Sequence, residues 1–453
     1  MIDTSRHDPV ARLTGFRAGL YRCLTTWGDA LFELCDATLF SPTRVGSVPG
    51  LSLEPVFRRS HGSLYKAPAD GVIDDNGLRR LLFEHRPVDW PEVFAVDAST
   101  WPRCDAETSP ERGFYYHPSR HSAGQPIVAG WSYQWLSQLG WAPDSWTAPL
   151  DVRRIPPGTD AVAATITQVR ELVDRLESLT TAPVPVFVFD AGYDPIALSV
   201  GLADVHAAVV VRIRSDRIFY ADPPPPTPTT MGRPRRHGTR FACTNPATWP
   251  RPDAAIHTTD SRYGTVDVQA WTGLHPKLAG RGRWAGTHTP PIVSGTIIRV
   301  QVEHLPKRSA RALKTLWLWW SGPGVAELDV CWRAYRRRFD IEHTFRFAKN
   351  TLGWTTPALR TPEQADRWTA LIIAAYTQLR LARGLVNDDR LPWERPRQPD
   401  RLTPARVRRG FRRLAPIIAT PAHPRKSDTP GPGRPKGTRK PPRTLYPPIK
   451  KAA

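Results

Sequence analysis

VPVFVFDAGYDP, residues 184–195, is an apolar run that ends in an acid and then in a turn. Such a run reads as a strand buried on both faces, which requires a sheet covered by helices. Upstream, VFAVD (93–97) repeats the pattern, a short apolar run closed by an aspartate. PIVAGWSYQWLSQL (126–139) sets aromatics at alternating positions, and AAVVVRIRSD (207–216) reads as a further strand. TDAVAATITQVRELVDRLESL (159–179) has helical periodicity, with Thr159 or Asp160 as its N-cap. Strands alternating with helix in this order define an α/β domain with a mixed sheet.

Ligands of α/β sheets gather at the carboxyl ends of strands, where Asp97 and Asp190 stand. A third acid comes from CWRAYRRRFDIEHTFRFAKNTLGW (331–354). On a helix, Tyr335, Arg338, Glu342 and Lys349 project at about 0°, −60°, −20° and −40°, so they share one face. Asp340 points roughly the opposite way, and the spacing selects Glu342. Three converging carboxylates suit Mg²⁺ or Mn²⁺, hard ions that also bind phosphate oxygens. Two such ions ~3.5–4 Å apart stabilise the attacking and leaving oxygens of phosphoryl transfer. The blander alternatives are a solvated basic helix and, for each Asp alone, a cap, turn or surface acid. Asp194 rivals Asp190, although Pro195 suggests a turn role for it.

The bulk properties agree with a phosphate-bearing partner. With 453 residues the chain implies two or three domains, and a net charge of +21 makes a polyanion the default partner. The longest apolar stretches, such as LIIAAY (371–376), are far short of the ~20 residues of a membrane span. MIDTSRHDPVARLTGF at the N-terminus lacks the apolar core of a signal peptide, so cytoplasmic, nucleoid-associated residence is expected. The five cysteines are scattered without a C-x-x-C pair, which argues against zinc or a disulfide framework.

Five segments follow along the chain. Residues 1–90 are helical in pattern, with interspersed arginines that suit DNA binding or a simple capping role. Residues 91–222 and 314–390 form two parts of the α/β core, the second carrying the Glu342 helix and an apolar helix over 362–385. Between them, 223–313 opens with PPPPTPTT and continues through TVDVQAWTG and IVSGTIIRVQVEHL, a β-rich insertion. Residues 391–453 form a basic tail expected to be disordered; from 401 onward it has 15 Lys/Arg against one acid.

The Tyr-x2-Arg-x3-Glu-x6-Lys spacing, preceded by VDAS and VFDAGYD, resembles the signature of a large group of bacterial DDE-type insertion-sequence transposases. The resemblance covers about residues 10 to 390. It implies a ribonuclease-H-like core interrupted by a β-rich insertion, and Mg²⁺-dependent cleavage and strand transfer on double-stranded DNA. It also implies a homodimer or higher oligomer assembled on transposon ends. Carried over, Asp97, Asp190 and Glu342 would be the catalytic metal ligands, and Tyr335, Arg338 and Lys349 would contact the DNA backbone. No covalent protein nucleophile is required, because water and then the freed 3′-hydroxyl can attack in line.

In that group some members form a hairpin on the transposon end, with a tryptophan holding a flipped base. Trp320 in TLWLWWSGPG, with Trp317 and Trp319, is the candidate here, although the alternation reads equally as a core strand. PGPGRPKGTRK (430–440) resembles an AT-hook through Arg434 and Lys436, with non-specific phosphate contact as the alternative. His117, Arg120 and His121 could help position DNA or serve only the surface. Two other readings compete with an active transposase: a ribonuclease-H-like nuclease that does not integrate, and a catalytically silent DNA-binding descendant.

Overall fold

The computed structural model describes residues 8–116, 126–177, 183–225, 235–280, 282–305, 314–425, 437 and 444–450. The first part is helical: α1 (Pro9–Cys23), α2 (Gly28–Phe40), α3 (Val48–Leu51), α4 (His61–Asp70) and α5 (Asp75–Glu84). Two short strands, β1 (Leu24–Thr26) and β2 (Val72–Ile73), pair among them. Asp8 and Asp74 cap α1 and α5 by accepting from Val10 N and Gly77 N, which satisfies donors the helices leave orphaned.

The next strands are β3 (Val93–Pro102), β4 (Gly113–Tyr116), β5 (Ile127–Leu139) and β6 (Thr147–Ile155). Helix α6 (Ala161–Glu177) leads to β7 (Val186–Phe189), and α7 (Pro195–Gly201) leads to β8 (Ala208–Ile213). The sheet order around β3 is β6-β5-β3-β7-β8. β5 pairs antiparallel with β3 and β6, while β7 is parallel to both β3 and β8. β4 lies against the outer edge of β5 beyond the end of β6. Three antiparallel strands followed by two parallel ones is an arrangement compatible with a ribonuclease-H-like core.

Beyond β8 come β9 (Ile218–Tyr220) and β10 (Arg240–Ala242), a two-stranded sheet of their own. Then β11 (Ala254–Asp260), β12 (Gly264–Leu274), β13 (Gly295–Val302) and β14 (Thr315–Ser321) run antiparallel and join β8 through β14. The segment expected as an insertion is therefore strand-rich, and three of its strands widen the central sheet. Among the described residues the central sheet has 10 strands.

Strand alternation splits the core in two. Val93, Ala95, Val188 and Val210 face one side, and Phe94, Val96, Phe187, Phe189 and Val209 face the other. The second face is covered by Val169, Leu172, Val173 and Leu176 of α6, spaced to form one apolar stripe. Each such side chain contributes about 1.5–3 kcal/mol when buried. The first face receives α8 (Leu328–Asn350), which buries Cys331, Ala334, Arg338, Ile341, Phe345 and Ala348 against β3, β5 and β7.

Helix α9 (Pro362–Leu381) opens with a capping box between Thr361 and Gln364 and is buried nearly all round. It forms the axis of a bundle with α1, α2, α4 and α10 (Pro404–Phe411). Here the expected disordered tail needs correction, since residues up to 425 fold back onto the bundle. Leu402, Val407, Phe411, Leu414 and Ile418 are buried, an apolar pattern that the arginine count concealed. The arginines have partners: Arg406 pairs with Asp388 at 2.8 Å, and Arg408 Nε donates to the Thr38 carbonyl at 2.8 Å. Arg17, 1 % exposed, forks onto Asp36 at 2.7 and 2.8 Å and donates through Nε to the Ala419 carbonyl. No helix among the described residues is long and apolar enough to cross a membrane.

Candidate active site

Register decides where the first two acids stand. In the parallel β3–β7 pair, Val93 lies beside Val186 and Ala95 beside Val188. Two residues further on, the same register sets Asp97 next to Asp190. Asp190 directly follows β7, whereas Asp97 lies inside β3, which runs on to Pro102 along β5 instead of ending at the acid as expected. Alternation gives both the parity of Ala95 and Val188, whose face α8 covers. Asp194, the rival acid, instead caps α7 by accepting from Ile196 N at 3.0 Å and Ala197 N at 3.1 Å.

Helix α8 brings the predicted face onto these acids. Arg338 Nη1 donates to Asp97 Oδ2 at 2.7 Å, and its Nη2 lies 3.6 Å from Asp190 Oδ1. The Tyr335 hydroxyl donates to Asp190 Oδ1 at 3.4 Å, and the Arg338 guanidinium sits 5.7 Å from the Tyr335 ring centre. Ala98 N donates to Asp97 Oδ1 at 2.8 Å. Lys349, two helical turns past Glu342, donates to the Thr100 carbonyl at 3.1 Å, with its ammonium 5.6 Å from the Trp354 ring.

The electrostatics of the acids are set first by burial and only then by their neighbours. Burial pushes the Asp97 carboxyl up to about 7; Arg338 opposes the rise, and the charges of Glu342 and Asp190 add to it. Burial likewise raises the Tyr335 hydroxyl, so it stays protonated and able to donate. Among the described residues no three His, Cys, Asp or Glu side chains already close on a common metal position. Arg338 takes up the acid pair instead. The donor set still fits a hard divalent ion: three carboxylates from β3, the β7 end and α8, with a like-charge crowding that a cation relieves.

Trp320 is not placed as expected. It is 7 % exposed in β14, within the core on the α8 face, while Trp317 and Trp319 fill the opposite face. A base needs an exposed ring to stack on, so Trp320 is a core residue. Arg434, Lys436, His117, Arg120 and His121 lie outside the described residues.

One nearby cation escaped sequence reasoning. Arg212, exposed near the carboxyl end of β8, stands close enough to Tyr335 to counter the effect of burial on its hydroxyl. Its signal was present in the sequence as a charged residue closing an apolar run, AAVVVR, as Asp97 closes VFAVD. Tyr193 was also missed. Its hydroxyl donates to Gln134 Oε1 at 3.2 Å, tying the turn after Asp190 to β5.

Residues 19–277 match the DDE superfamily endonuclease family. The chain belongs to that family. The match supports a DDE-type transposase, and it contains both Asp97 and Asp190. It stops before α8, so Glu342 lies outside the matched residues. No curated protein sequence matches the chain.

Proposed function

We propose that this DDE endonuclease is an insertion-sequence transposase with a ribonuclease-H-like core, cleaving double-stranded DNA at element ends and joining the freed 3′ ends to a target. The observation that carries the reading is the meeting of Asp97, Asp190 and Arg338 on one sheet end, with Glu342 on the same helix close enough to raise Asp97. Asp97, Asp190 and Glu342 would hold Mg²⁺, with Mn²⁺ as a substitute. Two such ions would supply activation of the attacking oxygen and neutralisation of the leaving one.

The chain's own residues handle the phosphate backbone. Arg338 offers a planar fork to a phosphodiester, Lys349 a point charge further along the same helix, and Tyr335 a neutral hydroxyl between strand end and helix. Arg212 extends the line of donors across β8. Arg338 and Asp97 are largely buried, so hydrogen bonds they make are formed in a medium where they count for more, while Asp190 stays partly open to solvent. The net charge of +21 supports DNA as the partner and raises the rate of encounter with it. A homodimer or higher oligomer on paired DNA ends completes the reading.

The test is cleavage of labelled DNA carrying the repeats that flank this gene, in Mg²⁺ and in EDTA, with product joining followed on a target plasmid. Mg²⁺-dependent cuts at the repeat boundary followed by joining support a transposase. Cuts without regard to the repeats would favour a general nuclease, and binding without cuts a catalytically silent descendant.

A further inference from the structure

Three of the four oxygens of the acid pair already have a donor or a cation beside them. Asp97 Oδ1 accepts from Ala98 N at 2.8 Å and Oδ2 from Arg338 Nη1 at 2.7 Å. Asp190 Oδ1 accepts from the Tyr335 hydroxyl at 3.4 Å and lies 3.6 Å from Arg338 Nη2. One guanidinium thus bridges two carboxylates on adjacent parallel strands, in the gap that a cation shared by both would fill. The Arg338 side chain is 9 % exposed and that of Asp97 14 %, so water screens their contact little, while Asp190 at 41 % stays open to solvent.

Arg338 and a divalent ion need the same oxygens and repel each other. They exclude one another at Asp97 unless the guanidinium has somewhere better to go. Its present seat is imperfect, because Arg338 Nε is buried without a hydrogen-bond partner. A phosphodiester laid across the site supplies two oxygens to a planar fork, a match that carboxylates on separate strands at 2.7 and 3.6 Å do not equal.

We propose that Arg338 is an internal counter-ion that closes the acid pair in the DNA-free protein, and that its transfer to a backbone phosphate couples DNA binding to divalent-cation loading. This rests on the reading of Asp97, Asp190 and Glu342 as metal ligands. The coupling is reciprocal: whatever factor DNA adds to cation affinity, the cation adds to DNA affinity. The consequence is a nuclease that loads its metal on DNA and resists loading without it.

The test is Mn²⁺ binding by electron paramagnetic resonance on the full chain, with and without a short duplex, the duplex alone subtracted. Wild type, Arg338→Gln, Arg338→Lys and Glu342→Gln are compared, with circular dichroism melts as the check on folding. Without DNA, Arg338→Gln should bind Mn²⁺ about tenfold or more tightly than wild type. Arg338→Lys, which keeps the charge and loses the fork, should fall between them. The duplex should tighten binding to wild type and leave Arg338→Gln unchanged. Equal or weaker binding by Arg338→Gln, with binding lost in Glu342→Gln, overturns the counter-ion role and spares the metal reading. No Mn²⁺ binding by any variant, with or without duplex, overturns both.

Discussion

At the scale of single residues, Asp97 is the most informative. Its folded carboxyl is pushed to about 7 from an ordinary 3.8, so between those values the folded state holds a proton that the unfolded chain has lost. The stability this lends is full below about pH 4 and is lost as pH rises toward 7. In EDTA, wild type should therefore lose on the order of 1–3 kcal/mol relative to Asp97→Asn between pH 5 and 8. Paired thermal melts at several pH values check this, and parallel curves would refute it. Asp190 was legible because a parallel strand buried on both faces reads as an unbroken apolar run whose end is visible, whereas β3 continues past Asp97 to Pro102 and only its apolar first half marked the acid. Arg212 was not, because exposed arginines are common in a chain of net charge +21 and only its neighbour Tyr335 marks it out.

At the scale of elements, α8 was read correctly as one helix, and a 3.6-residue period fixes which of its residues align on the face toward Asp97 and Asp190. β14 shows the limit of the same reasoning. Alternation predicts a strand with two faces but not what lies on either, and here both are covered: Trp320 packs on the α8 side, Trp317 and Trp319 on the other. Trp320→Ala should consequently cost about 3–5 kcal/mol of stability as a core truncation. DNA affinity at a temperature where the variant is folded should stay within twofold of wild type. Denaturant titration and fluorescence anisotropy measure the two quantities, and a stable variant that binds DNA poorly would restore the stacking role.

At the scale of the whole molecule, the two ends of the chain are one structure. The buried Arg17–Asp36 pair also takes a hydrogen bond from Arg17 to Gln378 at 2.7 Å and reaches the Ala419 carbonyl at 3.1 Å. That single network joins α1, α2, α9 and the segment after α10. Truncation after residue 400 would remove Leu402, Val407, Phe411, Leu414 and Ile418 from the core at about 1.5–3 kcal/mol each. The sum rivals the 5–15 kcal/mol by which proteins of this kind are stable, so the truncated chain should be largely unfolded. Truncation after Arg425 keeps every one of these contacts and should retain a cooperative melt. The sequence hid this because Arg406 and Arg408 find their partners at Asp388 and Thr38, a pairing that no local pattern reveals.

The claim on which the account turns is that Glu342, which lies beyond the segment matching the family, completes the site begun by Asp97 and Asp190. Its most direct test is Mg²⁺-dependent nicking at the flanking repeats by wild type and Glu342→Gln, with duplex binding measured on the same samples. The expected result is a loss of nicking rate beyond the about 10–100-fold typical of residues that only support a metal's ligands, with DNA affinity retained. Nicking by Glu342→Gln at the wild-type rate would contradict it.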